Sequence, residues 1–341
     1  MFTDRRANSS VVRRVKQPWP TGKPFKILSL DGGGIKGFYS AELIRLCEEK
    51  FCLNSSMARY FDMIAGTSTG GIMALGLGLE MPADEIVSFY RDDGRVIFPP
   101  LPSLRVGQCT RFISSLFRPK LEHQRLEHAL RTRFGNRLLG ESVTRLVVPA
   151  FMMPKTEIAV FKTDHHADFR KDHATPIWKV ARSTSAAPTY LKGLEHSESG
   201  KIFIDGGVWA NNPVMVAIID ALSAYDIEPD QIKVFSIGTG NPPFQLKQAQ
   251  IFGGLFSWKE AIKAAMFLTT DNANAQAKLL LGPSNCLRLE PIGKNAGIEM
   301  DDYDEAFACL PTLAVHDFAQ YVGLIEPFFT EKVTPRDRFY S

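Results

Sequence analysis

The stretch that most constrains this chain is Phe61 to Gly70, FDMIAGTSTG, where an apolar run halts at a serine with a glycine two positions to either side. Phe61, Met63, Ile64 and Ala65 predict a short buried strand, and the apolar run from Gly71 to Leu77 predicts a closely packed helix. Between them lies the pattern G-x-S-x-G. A strand that becomes a helix within one or two residues forces the serine into a strained backbone, and glycines at both flanks remove the Cβ clashes that would forbid the bend. Ser68 would then present its hydroxyl at a helix N-terminus, where free N–H groups favour an attacking oxygen and the oxyanion it creates. An ordinary glycine-rich strand–helix turn is the alternative.

Upstream, Ile27 to Leu30 predicts a strand that runs into Asp31-Gly32-Gly33-Gly34-Ile35-Lys36-Gly37, followed by a helix from about Tyr39 to Phe51. Three consecutive glycines ahead of a helix leave backbone N–H groups unscreened, an arrangement that cradles a phosphate or an oxyanion. A nucleotide P-loop needs Ser or Thr after Gly-Lys, and here Gly37 and Phe38 follow Lys36. A dinucleotide fold matches the glycines, but Asp62 lies too far along to hold a ribose. An oxyanion hole serving Ser68 fits better, because both loops would leave the C-terminal ends of neighbouring parallel strands, where open α/β sheets place their sites.

Further along, a helix from Ile177 leads to Ser185-Ala186-Ala187-Pro188, and the strand Lys201 to Ile204 ends in Asp205-Gly206-Gly207. A carboxylate there can sit beside a serine that leaves a neighbouring strand. Asn211-Asn212-Pro213 opens the next helix, and Lys233 to Ile237 predicts another strand. Helices are expected at Pro82 to Tyr90 and Leu121 to Phe134, strands at Leu146 to Ala150 and Glu157 to Lys162, and a surface insertion at Phe98 to Phe117. His123 and His128 lie five apart and do not converge on a metal, and His165, His166 and His173 are expected to be solvated in a polar loop.

Length and composition bound the rest. With 341 residues and 45% apolar content the chain can bury one large α/β core, and a formal charge of +3 does not argue for DNA or RNA as partner. Five cysteines without a C-x-x-C pair predict neither a disulfide framework nor a zinc site, and a reducing, cytoplasmic setting fits. Residues 1–24 are expected to be a flexible basic leader carrying Arg5, Arg6, Arg13, Arg14 and Lys16, with no signal peptide; residues 25–341 are expected to form one domain with helical insertions and a helical C-terminal region. No segment predicts a transmembrane helix.

Taken in order, D-G-G-G-x-[RK]-G, G-x-S-x-G, an S-x-A-A-P-type stretch and D-G-[GA] resemble the patatin-like phospholipase family over about Phe25 to Thr239. The resemblance implies a three-layer α/β/α sandwich with a mostly parallel sheet. It also implies Ser68 as nucleophile, Asp205 as base without any histidine, and Gly32, Gly33 and Gly34 as oxyanion donors. Lys36 falls where the family often has arginine; as a candidate anion contact it keeps the charge but lacks the planar fork. The substrate implied is a membrane phospholipid met peripherally at the inner membrane surface, with no metal or cofactor. The opening from Lys23 to Gly37 is similar to that of bacterial anti-phage effectors activated by cyclic dinucleotides, which nominates such an activator. The apolar, aromatic stretch Phe252 to Leu268 is expected to be either core or an acyl-facing lid, with Phe252, Phe256, Trp258 and Phe267 covering the acyl entrance in the second case. Two rival readings are a Ser-His-Asp esterase using His316 and a non-catalytic storage or binding protein on the same fold.

Overall fold

The computed structural model describes residues 14–99, 122–154, 157–188, 190–196, 200–240 and 256–340, the last range without the side chains of 256–263 and 265. The expected insertion at Phe98 to Phe117 lies almost wholly outside these ranges, as does the first part of the expected leader.

One sheet organises the chain. Its strands are β1 (Phe25–Leu30), β2 (Met63–Gly66), β3 (Arg145–Met153), β4 (Glu157–Lys162), β5 (Leu194–His196), β6 (Lys201–Asp205), β7 (Ile232–Ile237) and β8 (Cys286–Leu289). The path β8-β7-β1-β2-β3 is parallel throughout, whereas β4 and β6 pair with β3 antiparallel and β5 pairs with β6 antiparallel. Side chains alternate between two cores, as the two-residue period of a strand dictates. Leu28, Leu30, Ile64, Leu146, Val148, Phe235 and Ile237 face one, and Phe25, Ile27, Met63, Ala65, Val147 and Val234 face the other. A strand covered on both faces has no polar side to display, so β2 is wholly apolar and the two polar residues of β1, Lys26 and Ser29, are buried with hydrogen-bond partners, Phe328 O and Glu331 O for Lys26 Nζ and Asn212 Oδ1 for Ser29 Oγ.

The first core is closed by helices α1 (Gly37–Phe51), α2 (Thr69–Gly78), α3 (Ala83–Ser88), α4 (His123–Phe134) and α5 (Ile177–Thr184), together with the C-terminal helix α8 (Tyr303–Ile325). The second is closed by α6 (Val214–Ala224) and α7 (Phe256–Leu281). Helices on both faces of a mostly parallel sheet make the expected three layers.

The junction at β3 sets up the site. Val147 pairs with Ala65 of β2 and with Lys162 of β4, while Ala150 pairs with Asp205 of β6 and with Ala159 of β4. A strand has two edges, so β2 and β6 must share the edge opposite β4, one after the other. Because β2 runs with β3 and β6 runs against it, their C-terminal ends point at each other.

Three expectations change. Asp205 does not end a strand lying beside β2; it meets β2 end to end along β3. Residues 14–24 are docked instead of forming a flexible leader: Gln17 N donates to Ala224 O at 2.8 Å, Trp19 packs on Phe25 and Tyr225, and Arg14 donates to Ser223 Oγ at 2.6 Å. His165 and His166 are buried, not solvated, and His165 bridges Thr163 Oγ1 and Asp220 Oδ2, both at 2.8 Å. Among the described residues no His, Cys, Asp and Glu cluster could hold a metal ion, and no helix is long and apolar enough to cross a membrane.

Candidate active site

Ser68 sits between β2 and α2 with φ 55° and ψ −123°, a left-handed conformation that costs a non-glycine residue on the order of 1–3 kcal/mol. The flanking glycines make the turn feasible. A Cβ on Gly66 would lie 2.1 Å from Gly70 O, and one on Gly70 would lie 2.2 Å from Leu30 O. The strained turn leaves Ser68 only 8% exposed yet able to donate from Oγ to Asp205 Oδ2 at 2.6 Å. The other carboxylate oxygen, Oδ1, accepts from Gly207 N at 2.7 Å, so the D-G-G turn itself orients the acid.

Burial raises the Asp205 carboxyl to about 6, and the hydrogen bonds from Ser68 and Gly207 pull only partly against that. At neutral pH the group is an anion of raised basicity in contact with a serine hydroxyl. That is the electronic requirement for a general base.

The S-A-A-P region ties serine and aspartate together. Thr184 Oγ1 accepts from Ser68 N at 2.9 Å and donates to Pro149 O at 2.6 Å, and Ala186 O accepts from Asp205 N at 3.0 Å. Sequence reasoning singled out neither Thr184 nor Ala186; their place inside a motif is the only local sign of their task.

The triple glycine divides in use. Gly32 N donates to Asn211 O at 3.0 Å, so that N–H is not free for an oxyanion, and Thr239 Oγ1 donates to Gly32 O at 2.7 Å. The expectation of three donors therefore reduces to Gly33 and Gly34, whose N–H groups no acceptor takes among the described residues and which line the pocket with Ser68. Gly34 has φ 59°, and a Cβ there would lie 2.3 Å from Met300 O. Lys36 is buried, donates from Nζ to Gly240 O at 2.6 Å and does not line the pocket, so it braces the loop instead of presenting charge to a ligand.

Above Ser68 and Asp205 lies a narrow, almost wholly apolar cavity of about 70 Å³, walled by Ile72, Phe89, Tyr90, Ile97, Leu126 and Leu191. Met266 of α7 and Met300 ahead of α8 also border it. Of the expected lid, Phe252 lies outside the described residues, as do the side chains of Phe256 and Trp258, and Phe267 does not line the cavity. No histidine lines it among the described residues. His316 is on α8 with its side chain 70% exposed, beside Asp317 Oδ1 at 3.2 Å, which removes it from any triad with Ser68.

A protein from Pseudomonas aeruginosa named cGAMP-activated phospholipase is 34% identical over 64% of this chain and 64% of its own length, slightly under two thirds of that relative. One of the same name from Escherichia coli is 30% identical over 75% of each chain. Patatin-like protein 2 from Arabidopsis thaliana is 31% identical over 71% of this chain and 67% of its own. The family model of patatin-like phospholipases matches residues 28–218, more than half the chain and the whole interval from the triple glycine past Asp205, and so this chain belongs to the patatin-like phospholipase family.

Proposed function

We propose that the chain is a lipid acyl hydrolase that cleaves fatty-acyl esters of membrane phospholipids with a Ser68–Asp205 dyad. The observation that carries this reading is the 2.6 Å contact between Ser68 Oγ and Asp205 Oδ2 at the base of an apolar cavity. A hydroxyl joined to an anionic base suits ester attack, and an apolar wall suits an acyl chain.

The steps follow from charge. Asp205 takes the proton from Ser68 as Oγ adds to the ester carbonyl, and the Gly33 and Gly34 N–H groups hold the oxyanion. The protonated Asp205 gives its proton to the departing alcohol, leaving an acyl-serine. Water then loses a proton to Asp205, attacks the acyl carbon and releases the fatty acid while Ser68 regains its proton. The storage-protein alternative leaves unexplained why a strained serine and a carboxylate of raised basicity should be kept in contact.

Activation by a cyclic dinucleotide in antiviral defence belongs to the same reading. Two lines support it: the bacterial relatives are named cGAMP-activated phospholipases, and the cavity measures about 70 Å³ against roughly 300–1,000 Å³ for ligand pockets. An acyl chain enters only after the wall moves, so a restrained ground state is consistent with the geometry. Such an enzyme would act peripherally, at the inner membrane surface.

The test is acyl release from a phospholipid panel, read by mass spectrometry, with and without cGAMP. The reading predicts fatty acid and lysophospholipid from the wild-type protein and none from Ser68→Ala. Equal release by both proteins would overturn it.

A further inference from the structure

The end of the sheet opposite Ser68 carries a second, larger cavity that the hydrolytic chemistry does not use. It measures about 420 Å³, inside the roughly 300–1,000 Å³ of ligand pockets. Four lysines line it, Lys23, Lys26, Lys233 and Lys332, against one carboxylate, that of Glu331.

What these amines bind now is informative. Lys26 Nζ donates to Phe328 O at 2.9 Å and Glu331 O at 2.7 Å, Lys23 Nζ donates to Thr334 Oγ1 at 2.9 Å, and Lys233 Nζ donates to Asn285 Oδ1. These partners are neutral oxygens. Among the described residues none of the four makes a salt bridge, although the chain elsewhere pairs buried cations with carboxylates, as at Arg336–Asp164 and Arg288–Asp31. Lys26 is only 7% exposed, and burial pulls its ammonium below its ordinary range, offset in part by Asp62 and Glu331. A concave site with several cations and little opposing charge has a positive potential that an anion would relieve. Leu287, Phe328 and Pro283 add an apolar floor.

The cavity is also joined mechanically to the candidate active site. Leu324, at the C-terminal end of α8, lines it together with Pro327 and Phe328 just beyond. At the other end of α8, about 35 Å away along a 23-residue helix, the Met300 side of the chain borders the cavity over Ser68, and Met300 O accepts from Ile35 N at 2.9 Å. Tyr39 Oη donates to Asp317 Oδ2 at 2.7 Å, which fastens the middle of α8 to α1.

We propose that the lysine-lined cavity binds a small soluble ligand bearing phosphodiester groups and that its occupancy shifts α8 and, through Met300, the wall over Ser68. This rests on the gated-hydrolase reading for the identity of the ligand. A ligand can shift the wall only by binding one position of α8 better than the other. Contacts from Leu324 at that helix end, and from Pro327, Phe328 and Thr330 just beyond it, provide such a difference.

The test is calorimetric titration of the full chain with cGAMP, which requires no catalytic activity and so stands apart from the hydrolysis assay. The wild type should bind, and the combined variant Lys23→Gln, Lys233→Gln and Lys332→Gln should bind about tenfold or more weakly, as expected on losing charge-assisted hydrogen bonds. Lys332→Glu alone, at an exposed position, should also weaken binding while its melting temperature reports an intact fold. Hydrogen exchange around Met300 to Tyr303 should change on binding to the wild type. Equal affinity of wild type and variants would place the ligand elsewhere, and no binding to the wild type would overturn the site while leaving the hydrolase reading to its own assay. Lysine-dependent binding to vesicles of anionic lipid without binding of cGAMP would overturn the soluble ligand and assign the surface to a membrane headgroup. Binding without altered exchange at Met300 would overturn the coupling.

Discussion

Asp205 Oδ2 accepts a hydrogen bond from Ser68 Oγ at 2.6 Å although the strands that carry the two residues never pair with each other. They occupy the same edge of β3 in succession, running in opposite senses, and their C-terminal ends converge. Two polar side chains at abutting strand ends meet without either strand having to bend, and Thr184 and Ala186 hold the two turns in register from one side.

Ser68→Ala and Asp205→Ala should each lower kcat/KM for ester hydrolysis by about three orders of magnitude or more, because in the proposed mechanism nucleophile and base act as one unit. His316→Ala should change it by less than about twofold, since that ring is exposed and outside the cavity. Steady-state kinetics on folded variants decides. A loss at His316 as large as that at Asp205 would refute the dyad.

The raised Asp205 carboxyl has two separate consequences. As a base it must be ionised, so kcat/KM should rise with pH through about 6 and then level off. For stability the sign is opposite. The carboxyl titrates near 3.8 when unfolded and near 6 when folded, so the folded state holds the extra proton in that window. The group's stabilising contribution is full below the lower value and lost as pH rises through the upper. Asp205→Asn should therefore abolish turnover while raising stability by about 2–3 kcal/mol near neutral pH, a gain that vanishes below pH of about 4. Denaturant melts of the variant at the two pH values test this.

Gly33→Val should lower turnover by roughly 100-fold or more, the scale of losing one oxyanion donor. A Cβ at Gly33 would lie 2.2 Å from Thr239 Oγ1, so the loop must shift before the side chain fits. Thr239→Gly removes all three side-chain atoms that this Cβ would meet, at the loss of the hydrogen bond to Gly32 O, and combining it with Gly33→Ala should recover part of the activity relative to Gly33→Ala alone. Kinetics of the four proteins, read alongside their melting temperatures, would separate loop displacement from unfolding.

The elements of the site were legible where the determinants are local. Ser68 and its glycines announce a strand–turn–helix in ten residues, and Asp205-Gly206-Gly207 announces a strand end. What was not legible depends on partners distant in sequence. Nothing near Lys201 says that β6 runs against β3, because that direction is set by pairing with residues some fifty positions earlier. The polar loop at His165 looks solvated until Asp220, on α6, is brought beneath it. Gly32 looks like its neighbours until Asn211 O takes its N–H.

Thr184 provides a sharper test of how the turns are held. Thr184→Val keeps the shape but removes the hydroxyl, leaving Ser68 N–H and Pro149 O without their partner in a buried setting. The expected cost is about 1–3 kcal/mol of stability together with a fall in kcat of about 10-fold or more, since the Ser68 backbone is then free to relax from its strained conformation. Thr184→Ser, which retains the oxygen, should recover most of both. Failure of serine to rescue would mean that the methyl group matters, not the hydrogen bonds.

Asp31 and Arg288 make the last prediction. Asp31 begins the triple-glycine loop, is fully buried, and accepts from Arg288 Nη2 at 2.7 Å; Arg288 also reaches Ser236 Oγ at 2.8 Å and Glu290. Burial raises the Asp31 carboxyl to about 6 even with Arg288 pulling it down. Removing the guanidinium by Arg288→Leu would strand that carboxylate, at a cost of about 3–5 kcal/mol near neutral pH. Without Arg288 the carboxyl rises further in the folded state, so the damage should be largest above about pH 7 and shrink as the pH falls and the group takes up its proton. Asp31→Asn in the same chain removes the stranded charge and should restore much of the loss. Denaturant melts of the single and double variants across pH decide it: a deficit in Arg288→Leu that does not lessen on acidification would mean that Arg288 supports the loop through packing and not through Asp31.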